Sequence, residues 1–205
     1  MRIVLSVLLA MLACAQPRAN VQSSIGETAV GDVRVTELAN GIYAAIRTEP
    51  LSLAVNANSL FIVNSDHVVV VDAQFTRKAT QENLAALRRI TKKPVRFVIN
   101  THWHDDHLAG NQVYRDSFPE VRFIAHPDTR TDLIEKGRPN RDQQVKFAGP
   151  AADRFERLLH LGLGADSAAT TPAEEAALTS AVRIIRRYLA ENSGYRETLP
   201  DSLVA

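Results

Sequence analysis

Six consecutive residues, His102-Trp103-His104-Asp105-Asp106-His107, hold three of the chain's six histidines and two carboxylates. Neutral imidazole and carboxylate are good ligands for zinc and similar divalent metals. A fold that contains this stretch must therefore bring several donors to one side of the backbone. A helix spreads neighbouring residues around its circumference. Extended chain does not, because residues i and i+2 point the same way. The stretch is expected at a strand end that runs into a tight turn. His102 and His104 would then share one metal, and Asp106 and His107 would face a second. The plainer reading is a polar loop that happens to be rich in histidine.

The residues around the motif supply the strand it needs. Val33 and Val35 lead into Asn40-Gly41, a strong hairpin signal, and Ile42 to Ile46 returns. Ser59 to Val63, a turn at Asn64-Ser65-Asp66, and Val68 to Val71 continue a meander whose last strand is expected to be buried on both faces. Asp72 closes that strand. A carboxylate there needs a partner, either as a turn or capping residue or as an acceptor that orients a metal-bound group. Thr76 caps an expected helix from Arg77 to Thr91, with Leu84, Leu87 and Ile90 on one face. Val95 to Ile99 is the next strand and leads through Asn100-Thr101 into the histidines. Ligands at the carboxyl end of a strand are where open α/β sheets place their sites.

After the motif, Leu108 to Tyr114 is expected as a short helix and Val121 to Ala125 as a strand. Pro127 would start a helix carrying Leu133 and Ile134. His67, His126 and His160 are expected in turn, capping and helical roles. From Gly137 the character changes: Pro139, Pro150 and mixed charges come first and helical patterns follow, with an amphipathic stretch from Ala151 to Leu161. A second helix, opened by the capping box Thr171-Pro172-Ala173-Glu174, runs to about Asn192 and stops at Gly194. No strand is expected after residue 126.

Composition bounds the rest. The 205 residues are 45% hydrophobic and 23% charged, enough for one sizeable core. A formal net charge of +1 without a long basic run argues against nucleic acid as a partner. Arg2, the apolar run Ile3 to Leu12 and Ala13-Cys14-Ala15 read as a secretory signal over residues 1–15, too short to span a membrane well. The protein is thus expected to be exported, in a bacterium to the periplasm, with lipidation of Cys14 as a minor alternative. Residues 16–30 are expected to be a flexible lead-in. Cys14 is the only cysteine, so the mature part has no disulfide and no thiolate ligand.

Val68 to Asp72, Asn100 to Asn111 and Ala125-His126-Pro127 together resemble the metallo-β-lactamase superfamily over roughly residues 31–136. The resemblance implies an α/β (α+β) fold, an αββα sandwich that is incomplete here, followed by a helical insert over residues 137–205. It implies a two-zinc centre at which metal-activated hydroxide attacks an amide, lactone or thioester carbonyl of a small-molecule substrate. His102 and His104 would bind the first zinc, and Asp106 and His107 the second. Asp106 would also orient the attacking water, Asp72 would be the acidic residue behind the ligands, and Trp103 would line the pocket or pack. Iron or manganese accepts a similar ligand set. Family members complete the site from a later half of the chain, with a third histidine, a bridging aspartate and a last histidine, and none of these is placed here. The chain is therefore expected to be the N-terminal half of such an enzyme, weak in metal binding and hydrolysis by itself. Its sheet would have an uncovered inner face that favours aggregation. A second reading is a catalytically silent metal-binding or interaction domain.

Overall fold

The computed structural model describes residues 28–49, 55–164, 166 and 168–204. The expected signal, Cys14 and most of the expected lead-in lie outside the described residues. Among them, no helix is long and apolar enough to cross a membrane.

Eight strands form one sheet in chain order: β1 (Thr28–Val30), β2 (Val33–Ala39), β3 (Ile42–Arg47), β4 (Ser59–Val63), β5 (Val68–Val71), β6 (Val95–Ile99), β7 (Arg122–Ala125) and β8 (Ser202–Leu203). β1 to β5 are joined antiparallel, and β5 to β8 run parallel. The β2–β3 hairpin turns at Asn40-Gly41, where Gly41 takes φ +76°, a conformation glycine adopts without a Cβ penalty. Two sequence expectations are corrected at the sheet edges. Thr28–Val30, placed in the lead-in, pair with Val33–Val35. Ser202–Leu203, placed after the last strand, pair with Ile124 and Ala125.

Helices connect the parallel strands, as parallel pairing requires. α1 (Arg77–Ile90) links β5 to β6. Thr76 caps it by accepting from the Ala79 N–H. Two short helices, α2 (Asp105–Leu108) and α3 (Asn111–Ser117), link β6 to β7. β7 then enters α4 (Pro127–Asp132), a π-helical turn (Leu133–Gly137), α5 (Arg138–Leu161) and α6 (Pro172–Asn192) before returning to β8. The expected capping box opens α6 with both of its hydrogen bonds. α5 and α6 pack against each other.

One face of the sheet forms the core. Val33, Val35, Ala45, Phe61, Val68, Val70, Val95, Val98 and Phe123 are buried there with Ala86 and Leu87 of α1 and Tyr114 of α3. The opposite face is also apolar but incompletely covered. Leu60, Ile62, Val69, Val71, Phe97, Ile99 and Ile124 are half-buried, and Ile42 and Ile46 are exposed. β5 is therefore fully buried on one face only, where its valine run suggested two. The structure has the helix-on-sheet half of an αββα arrangement.

Candidate metal centre

Register brings three chain segments to one level at the carboxyl edge of the sheet. Val71 of β5 pairs with Ile99 of β6, and Ile99 pairs with Ile124 of β7. One residue further on, Asp72 N–H donates to Ile99 O and Asn100 N–H donates to Ile124 O, each at 2.8 Å. Asp72 and the residues after Asn100 therefore emerge side by side.

Asp72 is buried and has φ +58°, the only positive φ at a non-glycine residue among those described. Aspartate tolerates the left-handed region better than most residues, but the conformation still carries strain. The surroundings hold it there. Ser59 Oγ donates to Asp72 O at 2.8 Å, and Ala73 N–H donates to His107 O at 2.8 Å. The turned carboxylate meets three partners: Thr101 N–H at Oδ1, and Thr101 Oγ1 and His107 Nδ1 at Oδ2, all at 2.8 Å. The Asp72 carboxylate thus ties the residue after Asn100 to the His107 ring.

His102 and His104 follow, with a bend at His102 and Trp103 where extended chain is expected from the sequence. His104 has φ −66° and ψ 143°, and it precedes α2. Their rings meet edge-on at an interplanar angle of 78°, with His102 Nε2 3.1 Å from His104 Nδ1. Asp106 and His107 lie on α2, where a tight turn was expected, and Asp106 Oδ2 is 3.1 Å from His107 Nε2. Two ligands on a tetrahedral zinc at 2.0–2.1 Å sit about 3.3 Å apart. Both pairs therefore have the spacing of two donors on one ion. The His102 and His107 rings are 4.0 Å apart between centroids, so the two pairs are neighbours. Among the described residues, no three His, Cys, Asp or Glu side chains are arranged around a single ion.

Electrostatics separates the histidines. Burial, together with the nearby His107 and His104, holds His102 below its usual pKa, so it is neutral and ligand-ready. Burial would depress His107 as well. Its hydrogen bonds to Asp106 and Asp72 outweigh burial and push it up to about 9. In the metal-free protein His107 is thus an imidazolium between two carboxylates. Asp106 feels burial upward but lies below its usual value because of His107. His107 Nε2 is the ring nitrogen that would hold a divalent cation in place of its proton, with Nδ1 still bonded to Asp72.

This gives a pH prediction with a definite sign. A histidine whose folded pKa is raised contributes stability that is fully present below its unfolded value and lost as pH rises through the folded one. Metal-free protein should lose this contribution between about pH 6.5 and pH 9. Urea midpoints from pH 6 to 10 check it. The difference between wild type and His107→Gln should shrink across that window, and a constant difference would contradict the charged triad.

Trp103 is half-buried, its ring 4.3 Å from that of His104 and its edge against Gly137, so it packs beneath the π-helical turn. His126 Nδ1 accepts from Asp128 N–H and caps α4. His67 bonds Asp66 in its turn, and His160 is exposed on α5. Asp105, one of the two motif carboxylates, is turned away from the donor pairs and gripped by Arg141. The sequence reading missed Arg141, the Asn100–Asn111 amide pair, and Thr101 as a partner of Asp72. Only Thr101 had a signal, as the residue that joins β6 to the first histidine.

The profile of the metallo-beta-lactamase superfamily matches residues 53–172, more than half of the chain, and spans Asp72, the histidine motif and α5. The chain belongs to the metallo-beta-lactamase superfamily. Two solved structures of the superfamily are similar to it. A metallo-beta-lactamase from Erythrobacter litoralis, with β-mercaptoethanol in its active site, shares 26% identity over 55% of this chain and 49% of its own, with a TM-score of 0.46. The FIM-1 metallo-beta-lactamase of Pseudomonas aeruginosa, in a mono-zinc form, shares 20% identity over 53% and 48%, with a TM-score of 0.44. The chain spans about half the length of these superfamily structures.

Proposed function

We propose that Asp72 and residues 102–107 are the ligand-bearing part of a two-metal hydrolytic centre. Zinc is its metal, and an amide, lactone or thioester of a small molecule is its substrate. The observation that carries this reading is the paired donor spacing: two imidazoles 3.1 Å apart beside an imidazole and a carboxylate 3.1 Å apart. Superfamily membership supports hydrolysis. The all-nitrogen-and-oxygen donor set supports zinc, with iron or manganese as other ions of suitable chemistry. Export to the periplasm rests on the N-terminal sequence alone.

Bound zinc supplies Lewis acidity and lowers the pKa of water to about 7. The chain's own residues do the rest. Asp72 fixes the His107 ring so that Nε2 faces outward as a donor. Thr101 sits at hydrogen-bond distance from both Asp72 Oδ2 and His102 Nδ1, linking the two donor pairs through hydroxyl contacts. Asp106, beside His107 Nε2, is the carboxylate placed to take or orient a proton of the attacking water. Each ion finds two protein donors here, where catalytic zinc usually has three plus water.

The second reading is a metal-binding domain without turnover, favoured by the lack of three convergent donors among the described residues. A hydrolysis panel of a penam, a lactone and a thioester separates the two. The hydrolase reading predicts weak, zinc-dependent turnover of at least one substrate, abolished by His102→Ala and by His107→Ala. Zinc binding with turnover no higher than that of these variants would select the silent domain.

A further inference from the structure

We infer that Arg141 is a positioning residue for the metal-binding loop, and that the α5–α6 pair acts through it as a clamp on that loop. The inference rests on the metal-centre reading above.

Arg141 lies on the first turns of α5, a helix whose described surface is otherwise mostly exposed, yet Arg141 itself is buried. Its guanidinium makes a two-pronged contact with Asp105, through Nη2 to Oδ1 and through Nε to Oδ2 at 3.0 Å. One face of the guanidinium covers the ring of Tyr195, just after α6, with Cζ 3.7 Å from the ring centre. A planar fork matches a carboxylate in both position and orientation, so it fixes the carboxylate in rotation as well as in distance. Asp105 stands between His104 and Asp106, one donor from each metal pair. Turning Asp105 therefore turns the backbone that aims both.

Two further contacts join the same helix pair to the same region. Gly137, at the end of the π-helical turn, lies against Trp103, and a Cβ there would come within 3.3 Å of the indole. Tyr188 of α6 stacks on Phe75, three residues after Asp72, with centroids 5.8 Å apart, and its hydroxyl donates to Gln144 Oε1 of α5 at 3.0 Å. The helices thus touch the segment after β5 and the segment after β6. These two segments carry Asp72 and the histidines.

A buried ion pair by itself is weak evidence for stability, because desolvation offsets the attraction. The clamp makes a different prediction from a purely structural pair. In the structural case, Arg141→Gln destabilises the protein by leaving Asp105 charged and unpaired. The double variant Asp105→Asn/Arg141→Gln then repairs everything. In the clamp case the double variant recovers thermal stability but not the geometry of the loop.

The chain carries a single tryptophan, Trp103, inside the loop, and its fluorescence reports loop geometry without metal. The experiment uses the full chain and measures acrylamide quenching of Trp103, cobalt(II) affinity by chelator competition, and melting temperature. The variants are Arg141→Gln, Arg141→Lys and the double. The clamp predicts that Arg141→Gln and the double weaken cobalt binding by about tenfold or more and raise the quenching constant about twofold. Arg141→Lys should fall between these and wild type, because it keeps the charge and loses the fork. Cobalt affinity and quenching within about twofold of wild type in the double variant would overturn the inference. A wild-type chain that gives no cobalt band would contradict the metal centre itself. Trp103 quenching then decides by itself whether Arg141 holds the loop.

Discussion

Asp72→Asn is expected to weaken zinc binding by about tenfold to a hundredfold while costing roughly 1–2 kcal/mol of stability. The substitution conserves shape. Asparagine also tolerates φ +58°, so the strained backbone is undisturbed. What changes is the direction of hydrogen bonding. Asp72 accepts from Thr101 N–H at one oxygen and faces His107 Nδ1 with the other. An amide that still accepts from Thr101 N–H presents its NH2 to His107. Nδ1 must then give up its proton and accept, which leaves the ring's one remaining proton on Nε2, the atom that faces Asp106 and should bind metal. Asp72→Ala removes all three bonds and should cost more, about 4 kcal/mol or above, since hydrogen bonds to charged groups are worth about 1.5–3 kcal/mol each. Chelator competition and urea unfolding on the same samples test the pair. Unchanged zinc affinity in Asp72→Asn would show that Asp72 does not set the His107 tautomer.

Gly110→Ala should be among the most damaging single-methyl additions in the chain, at about 3 kcal/mol or more. Gly110 has φ −74°, so alanine suits its backbone. Space is the obstacle. A Cβ would lie 2.0 Å from Thr80 Oγ1 of α1 and 2.9 Å from both N and O of Gln74. Gly110 N–H also donates to Gln74 O at 2.6 Å, tying the segment after the motif to the segment after Asp72. The backbones must separate to admit the methyl, which moves His107 away from Asp72. Thermal unfolding is the check. Gly110→Ala/Thr80→Ala should recover part of the loss, because the hydroxyl can be removed and the Gln74 backbone cannot. A melting temperature within a few degrees of wild type would mean the approach is looser than described.

Much of this arrangement was readable in the sequence because local signals and tertiary packing agree. Asn40-Gly41 specified the β2–β3 hairpin, Thr76 the start of α1, and the Thr171–Glu174 box the start of α6. The donor pairs were readable for the same reason. The i, i+2 spacing leaves His102 and His104 close enough to meet across a bend at His102 and Trp103, and Asp106 and His107 are neighbours on α2.

What stayed hidden depends on distant partners. β8 has two residues, too few for a pattern. Its place is set by Asp201, whose carboxylate accepts from Phe123 N–H and whose own N–H donates to Phe123 O. α5 was expected only from Ala151, because Pro150 removes a helical hydrogen bond at a cost of about 3 kcal/mol. In the structure Pro150 is exposed within a continuous helix braced by α6, with Arg186 bridging to Asp153 and Glu156. Arg141 is one of many arginines in a charged helix. Nothing in its neighbours shows that it is buried against Asp105, 36 residues earlier.

On the proposed function, residues 102–107 hold metal through particular ring nitrogens, that of His107 oriented by Asp72. Long-range proton–nitrogen NMR of the six imidazoles, recorded without and with zinc at neutral pH, tests it most directly. The account predicts zinc-dependent shifts at His102 Nε2, His104 Nδ1 and His107 Nε2. His107 should lose one proton and keep Nδ1–H bonded to Asp72, while His67, His126 and His160 stay unchanged. Shifts confined to those last three histidines, or zinc attached to His107 through Nδ1, would contradict it.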